Sequence, residues 1–207
     1  MSKSSLALAA LPDGTVEALV LFGRFLRLAR KRRDMPIRRV AELAGVAPRT
    51  VMKIERGDSS VALRLVAEVM LSLNLGLDFE ELARTEKDES EHREQIRDVE
   101  MALSVMPPKE RALELLRRFG MRIRAIRKAR RLTILHMTNV MHVSPVTVRK
   151  LETGSPSTSL GIAAMALFCL RHDEDLKRLA APDRDRSGIS NDISKQTARK
   201  RVRLKAQ

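Results

Sequence analysis

Val46-Ala-Pro-Arg-Thr-Val-Met-Lys-Ile-Glu-Arg-Gly57 decides the fold, because it recurs 97 positions later as Val143-Ser-Pro-Val-Thr-Val-Arg-Lys-Leu-Glu-Thr-Gly154. A first helical residue has no intrahelical acceptor for its amide, so Pro48 and Pro145 can each open a short helix. Ser144 is a capping residue and Ala47 is not. Val51 and Ile54, like Val148 and Leu151, fall on one stripe, whereas Arg49, Thr50 and Lys53, or Val146, Thr147 and Lys150, point the other way. Gly57 and Gly154 end the helix, where glycine takes a left-handed conformation most cheaply. So short a helix holds only if its neighbours clamp it.

Upstream, Val16, Leu19, Phe22, Leu26 and Ala29 repeat at three or four residues between Thr15 and Arg33, the spacing of an amphipathic helix with a basic back. A second short helix is expected from about Pro36 to Ala44, with Val40, Leu43 and Ala44 inward and Arg38, Arg39 and Glu42 outward. Gly45 then turns the chain into the opening stretch, which makes a helix-turn-helix pattern. Downstream, Leu63, Val66, Ala67, Met70 and Leu73 mark a fourth helix, and Asp78 to Ala83 a short fifth.

The same offset carries Phe22-Gly23 to Phe119-Gly120, Ile37 to Ile134, Thr50-Val51 to Thr147-Val148 and Glu55 to Glu152 without a gap. Leu113, Leu116, Phe119, Ile123 and Ile126 restate the first helix, and Leu160, Ala164, Leu167 and Leu170 the fourth. The chain therefore reads as a tandem duplication of one five-helix unit. Expected segments are a flexible N-terminus over 1–14, a first domain over 15–83, a linker helix over 84–108, a second domain over 109–180 and a disordered basic tail over 181–207. The linker is acidic: residues 84–100 hold four Lys or Arg against seven Asp or Glu. Its Ile96, Val99, Leu103 and Met106 keep helical spacing up to Pro107-Pro108. The tail carries Lys195, Arg199, Lys200, Arg201, Arg203 and Lys205 with no acid among them.

Lys and Arg total 40 against 26 Asp and Glu, a net charge of +14, so a polyanionic partner is expected. Five Phe and neither Trp nor Tyr leave little to stack on unpaired bases, which favours duplex DNA over single strands. The single Cys169 forms no internal disulfide, and the chain reads as cytoplasmic, associated with the nucleoid. Leu6 to Leu11 is too short for a comfortable signal peptide, and no stretch suits a membrane span. His92, His136, His142 and His172 lack companions at ligand spacing, and no phosphate loop or nucleophile elbow appears. No metal, cofactor or catalytic residue is expected, and the protein does not read as an enzyme. Most of the ten methionines, among them Met101, Met106, Met137, Met141 and Met165, are read as core packing.

With these helices in this order, each half resembles the Cro- and lambda-repressor-like helix-turn-helix family, also called the xenobiotic-response-element family. The motif Val-(Ala/Ser)-Pro-x-Thr-Val-x-Lys-(Ile/Leu)-Glu-x-Gly carries the resemblance, over about residues 15 to 83 and 112 to 180. It implies an all-α protein of two tandem five-helix lambda-repressor-like domains joined by a charged helical linker, with the third helix of each in the major groove. By position it implies structural ion pairs of Arg30 with Glu55 and of Arg127 with Glu152. Base-edge positions map onto Pro48, Arg49, Thr50 and Lys53, and onto Pro145, Val146, Thr147 and Lys150. Arg49 and Lys53 can donate to guanine, whereas Val146 can only touch a thymine methyl. Where the family often binds phosphate through a glutamine, Ile37 and Ile134 stand instead, and Arg38, Arg39, His136 and Arg149 are the expected backbone contacts.

The expected function is that of a sequence-specific regulator of transcription, a repressor, on double-stranded DNA. The flanks and the Ala181-Pro-Asp-Arg-Asp continuation look more narrowly like DNA-binding antitoxins paired with HipA-type kinases. That leaves open an alternative in which one half binds DNA and the other a partner protein, and a homodimer also remains open.

Overall fold

The computed structural model describes residues 11–76, 79, 82–83, 101–185 and 187–195. Among the described residues the regular elements are helices: α1 (Asp13–Arg32), α2 (Ile37–Ala44), α3 (Pro48–Glu55), α4 (Leu63–Ser72), α5 (Pro108–Ala129), α6 (Ile134–Met141), α7 (Pro145–Glu152), α8 (Leu160–Cys169) and α9 (Asp173–Arg178). Residues 101–105 and 187–195 are also helical. No described helix is long and apolar enough to cross a membrane.

The bounds of α2, α3 and α4 recur 97 residues later as those of α6, α7 and α8. The left-handed residues recur too: Asp34 with Arg131, Gly45 with His142, Gly57 with Gly154, Asn74 with Arg171, and Ala83 with Ala180. Asp34, Gly45, Gly57 and Asn74, like Arg131, His142, Gly154 and Arg171, each follow a helix at the same place in their half. After α3 the amide of Gly57 donates to Ile54 O and that of Asp58 to Lys53 O; after α7, Gly154 and Ser155 repeat both bonds, to Leu151 O and Lys150 O. This is the double bond pattern of a left-handed helix stop. The starts differ, because Ser144 Oγ accepts from the Thr147 amide while Ala47 has no side chain to offer α3.

The buried side chains form one continuous cluster drawn from both halves. α4 packs chiefly on α5, and α1 chiefly on α9, so helices of one half cover helices of the other. Phe79, which precedes the gap in the described chain, lies edge-on to Phe119 of α5 at 6.0 Å between ring centres. The cause lies in the fourth helices. All of Leu160 to Leu167 is buried in α8, and α4 buries Leu63 and Val66 to Met70. A helix apolar on every side needs partners on every side, more than one five-helix unit supplies.

Several sequence expectations change. Val16 and Leu113, at equivalent turns, are exposed, as is Leu43, whose inward place is taken by Ala41. Each lies at the edge of its helix's apolar stripe. Met137, Met141 and Met165 are core residues, but Met52, Met101 and Met121 are exposed. Of the flexible start expected over 1–14, residues 1–10 lie outside the described residues, and α1 already begins at Asp13, its turn closed by the Thr15 amide on Pro12 O. Of the linker, 84–100 lies outside the described residues; beyond it Leu103 is buried, and Arg111 Nε donates to Met106 O. Of the basic tail, 196–207 lies outside the description. The part from 181 to 195 is not a disordered tail: Ala181 and Asp185 are buried, and residues 187–195 form a helix on the end of α1. Asp185 causes this, taking Arg33 in a two-point pair at 2.6 and 2.9 Å and the Gly188 amide at 2.9 Å.

Candidate nucleic-acid interface

Each third helix is held at its C-terminal end by one arginine. Arg30 of α1 reaches Glu55 through Nε at 2.6 Å and Nη2 at 3.1 Å, and its Nη1 donates to Met35 O at 2.9 Å, just ahead of α2. Arg127 does the same to Glu152 at 2.5 and 3.1 Å and to Leu132 O at 2.8 Å. The planar fork suits this task, since it joins three elements with fixed geometry. Both pairs are nearly buried, where a lone charge would be costly. Donation to the Glu152 carboxylate raises the Arg127 pKa above its ordinary value, against the opposing effect of burial.

Close approach of backbone is the second clamp, and the sequence reading assigned it no role. A Cβ on Gly23 would lie 2.7 Å from both Ile54 O and Glu55 O, and one on Gly120 would lie 2.5 Å from Leu151 O. Gly57 and Gly154 return the contact, against Leu19 O and Leu116 O. Only the absence of side chains lets α3 lie on α1 and α7 on α5 at this distance. The recurrence of Phe-Gly in both first helices was the available signal.

So clamped, α3 exposes Pro48 and Arg49 and leaves Thr50 and Lys53 half-buried. Arg49 has no hydrogen-bond or ion-pair partner among the described residues. Lys53 is engaged, its Nζ standing 3.6 Å from Asp58. Hydrogen bonds from the Ser60 hydroxyl and then the Ser60 amide, with the Lys53 charge after them, hold the Asp58 carboxyl below its usual range despite partial burial. Such a surface pair is worth about 1 kcal/mol or less and is easily exchanged for another anion. Arg38 and Arg39 are exposed on α2, the latter 3.4 Å from Glu42.

The second half presents a different face. Pro145, Val146, Arg149 and Lys150 are exposed, Val146 at 56 %. Thr147 is tied into the helix cap, its hydroxyl 2.9 Å from Ser144 Oγ. His136 is exposed, as are Leu135 and Val140. By position, Leu135, His136 and Val146 stand where the first half has Arg38, Arg39 and Arg49. Three cations thus give way to two apolar side chains and an imidazole. Arg149 instead lines a cleft of about 250 Å³ between α5 and α7, together with Arg124, Arg127, Ile134, Glu152 and Thr153.

Among the described residues no three His, Cys, Asp or Glu side chains are grouped so as to hold a metal ion. Cys169 is partly buried, and burial pushes its thiol up to about 11, far from the reactive thiolate range.

Residues 21–84 match the family model of a helix-turn-helix domain, a span that begins within α1 and takes in α2, α3 and α4. No curated protein and no solved structure matches the chain.

Proposed function

We propose that the protein is a sequence-specific regulator of transcription, acting as a repressor, that binds double-stranded DNA in the cytoplasm through the third helix of each of two duplicated helix-turn-helix units. The observation that carries this reading is the basic surface of Arg38, Arg39 and Arg49, set around a third helix clamped at Glu55 and backed by a net charge of +14. The helix-turn-helix match over 21–84 supports it for the first unit. Arg49 and Lys53 donate to guanine edges, Pro48 and Thr50 pack beside them, and Arg38 and Arg39 take backbone phosphates.

Two units in one chain supply the two half-sites that a symmetric dimer would otherwise provide, so a homodimer is not required. Packing between halves through α4 with α5 and α1 with α9 favours a fixed spacing over a loosely tethered pair. Because Val146 replaces Arg49, the two half-sites differ. Selection of bound duplexes from a random library tests this: an asymmetric two-part site is expected. Wild-type sequence preference in Arg49→Ala/Lys53→Ala would overturn the assigned reading face.

A second reading rests on Leu135, Val140 and Val146, apolar side chains that are each exposed on α6 or α7 of the second unit. There the second unit binds a partner protein, in the manner of an antitoxin paired with a HipA-type kinase, and only the first binds DNA. Under that reading Thr147→Ala/Lys150→Ala leaves DNA binding intact, and a one-part operator is recovered.

A further inference from the structure

We infer that the cleft between α5 and α7 seats one phosphate of the DNA backbone, with Arg124 and Arg149 as its ligands. The inference rests on the duplex-binding function proposed above. Arg124 and Arg127 stand three residues apart on α5, so they share a face, and Arg149 and Glu152 do the same on α7. The two faces meet around the cleft, and Ile134 at the start of α6 closes one side of it. Arg127 is committed to Glu152 and Leu132 O, which leaves a neutral floor. Arg124 and Arg149 are exposed and have no hydrogen-bond or ion-pair partner among the described residues. Two free guanidinium groups over a neutral floor attract one anion, and the planar fork is suited to a phosphate's oxygens. The volume of about 250 Å³ leaves room for a phosphate group and several waters, each taking roughly 30 Å³ in the liquid.

The first half has no counterpart of Arg149. At the positions equivalent to Arg124, Ile134, Arg149 and Thr153 it has Arg27, Ile37, Met52 and Arg56, so a second cation sits one turn later, past the end of its third helix, and Met52 brings no charge. The unit with the weaker base-reading helix therefore gains one backbone contact at Arg149, where the first unit has Met52.

The test measures duplex binding against salt for the full-length protein and for Arg124→Gln, Arg149→Gln, the double glutamine variant and the double lysine variant. Both arginines serve one phosphate. Each glutamine variant, and the pair together, should therefore lower the slope of log affinity on log salt by about one unit, with sequence preference unchanged. The double lysine variant should restore the slope. A parallel titration with inorganic phosphate should shift the Nε–H signals of Arg124 and Arg149 of the free protein in ¹⁵N NMR. If the wild type binds duplex DNA and the glutamine variants keep its salt slope, the phosphate site is overturned and the function stands. If the wild type binds no duplex while inorganic phosphate still shifts both signals, the function fails, and the site belongs to a free anion instead of DNA. A fall of about two units in the double variant would also overturn the single shared phosphate.

Discussion

Ala62 and Ser159, 97 positions apart in the chain, face each other in an isolated antiparallel bridge. The bonds around it are reciprocal: the Leu63 amide donates to Thr158 O at 2.7 Å, and the Leu160 amide donates to Val61 O at 2.8 Å. Each residue in one bond has its counterpart in the other at the same offset. This is the arrangement of a two-fold contact between like surfaces, made here within one polypeptide. It joins the two halves where α4 and α8 begin, so these bonds and the shared core act together.

Unfolding should therefore be a single transition. Phe119→Ala removes a ring that meets Phe79 across the halves and should cost about 3–5 kcal/mol. Chemical denaturation checks this if followed by helix content and by a fluorophore placed in the first half. Coincident midpoints for both probes are expected, and two separated midpoints would contradict the shared core.

The glycines divide by surroundings. Gly45 and Gly57 both have positive φ, at +64° and +76°, but a Cβ on Gly45 meets nothing within 4 Å, while one on Gly57 would lie 2.6 Å from Leu19 O. Gly45→Ala should cost about 1–2 kcal/mol from backbone conformation alone. Gly57→Ala adds a backbone collision and should cost roughly a further 1–3 kcal/mol. Equal losses in denaturant midpoint for the two variants would show that the clamp on α1 is loose.

Removing one partner of a clamp leaves the other charge stranded. Glu55→Ala should destabilise by about 3 kcal/mol or more, whereas Arg30→Met/Glu55→Leu should recover much of that loss. A double-mutant cycle on thermal or denaturant stability measures the coupling. Additive single losses would mean that the two groups are already solvated.

Asp185 holds the segment after 181 to the end of α1. Burial pushes its carboxyl up, but the hydrogen bonds from Arg33 and Gly188 and the charges of Arg33 and Arg32 outweigh it, and its pKa falls below the ordinary value. A carboxyl depressed on folding contributes fully above its unfolded value of about 3.9 and loses that contribution as pH falls through the folded value. Asp185→Asn should therefore lower stability at pH 7 and differ less from the wild type as pH drops below about 4. A stability gap independent of pH over that range would deny the Arg33 pair its role.

Much of this was legible in the residues. The alternation of Val51 and Ile54 with Arg49 and Lys53, the prolines before each third helix and the glycines after it are local signals. They depend on a few neighbouring positions, and the structure has helices where those signals fall. The order of residues 181–185 and 187–195 was not legible, because a basic tail is read from its own charge while its anchor lies elsewhere: Asp185 is 1 % exposed and paired with Arg33, 152 positions away. Val16, Leu43 and Leu113 were assigned inward because period alone does not say how wide a buried stripe is.

The sequence by itself determined the helices, their order, the 97-residue recurrence and the chemical difference between Arg49 and Val146. These follow from backbone preferences and side-chain chemistry that act within a turn or two. Only the tertiary structure decided that the halves share one core, that Gly23 and Gly120 set the depth of the third helices, and that Arg149 and Arg124 line one cleft. Those relationships join residues far apart in the chain. They are fixed by which apolar faces remain uncovered once each helix has formed, a competition among surfaces that no single stretch contains.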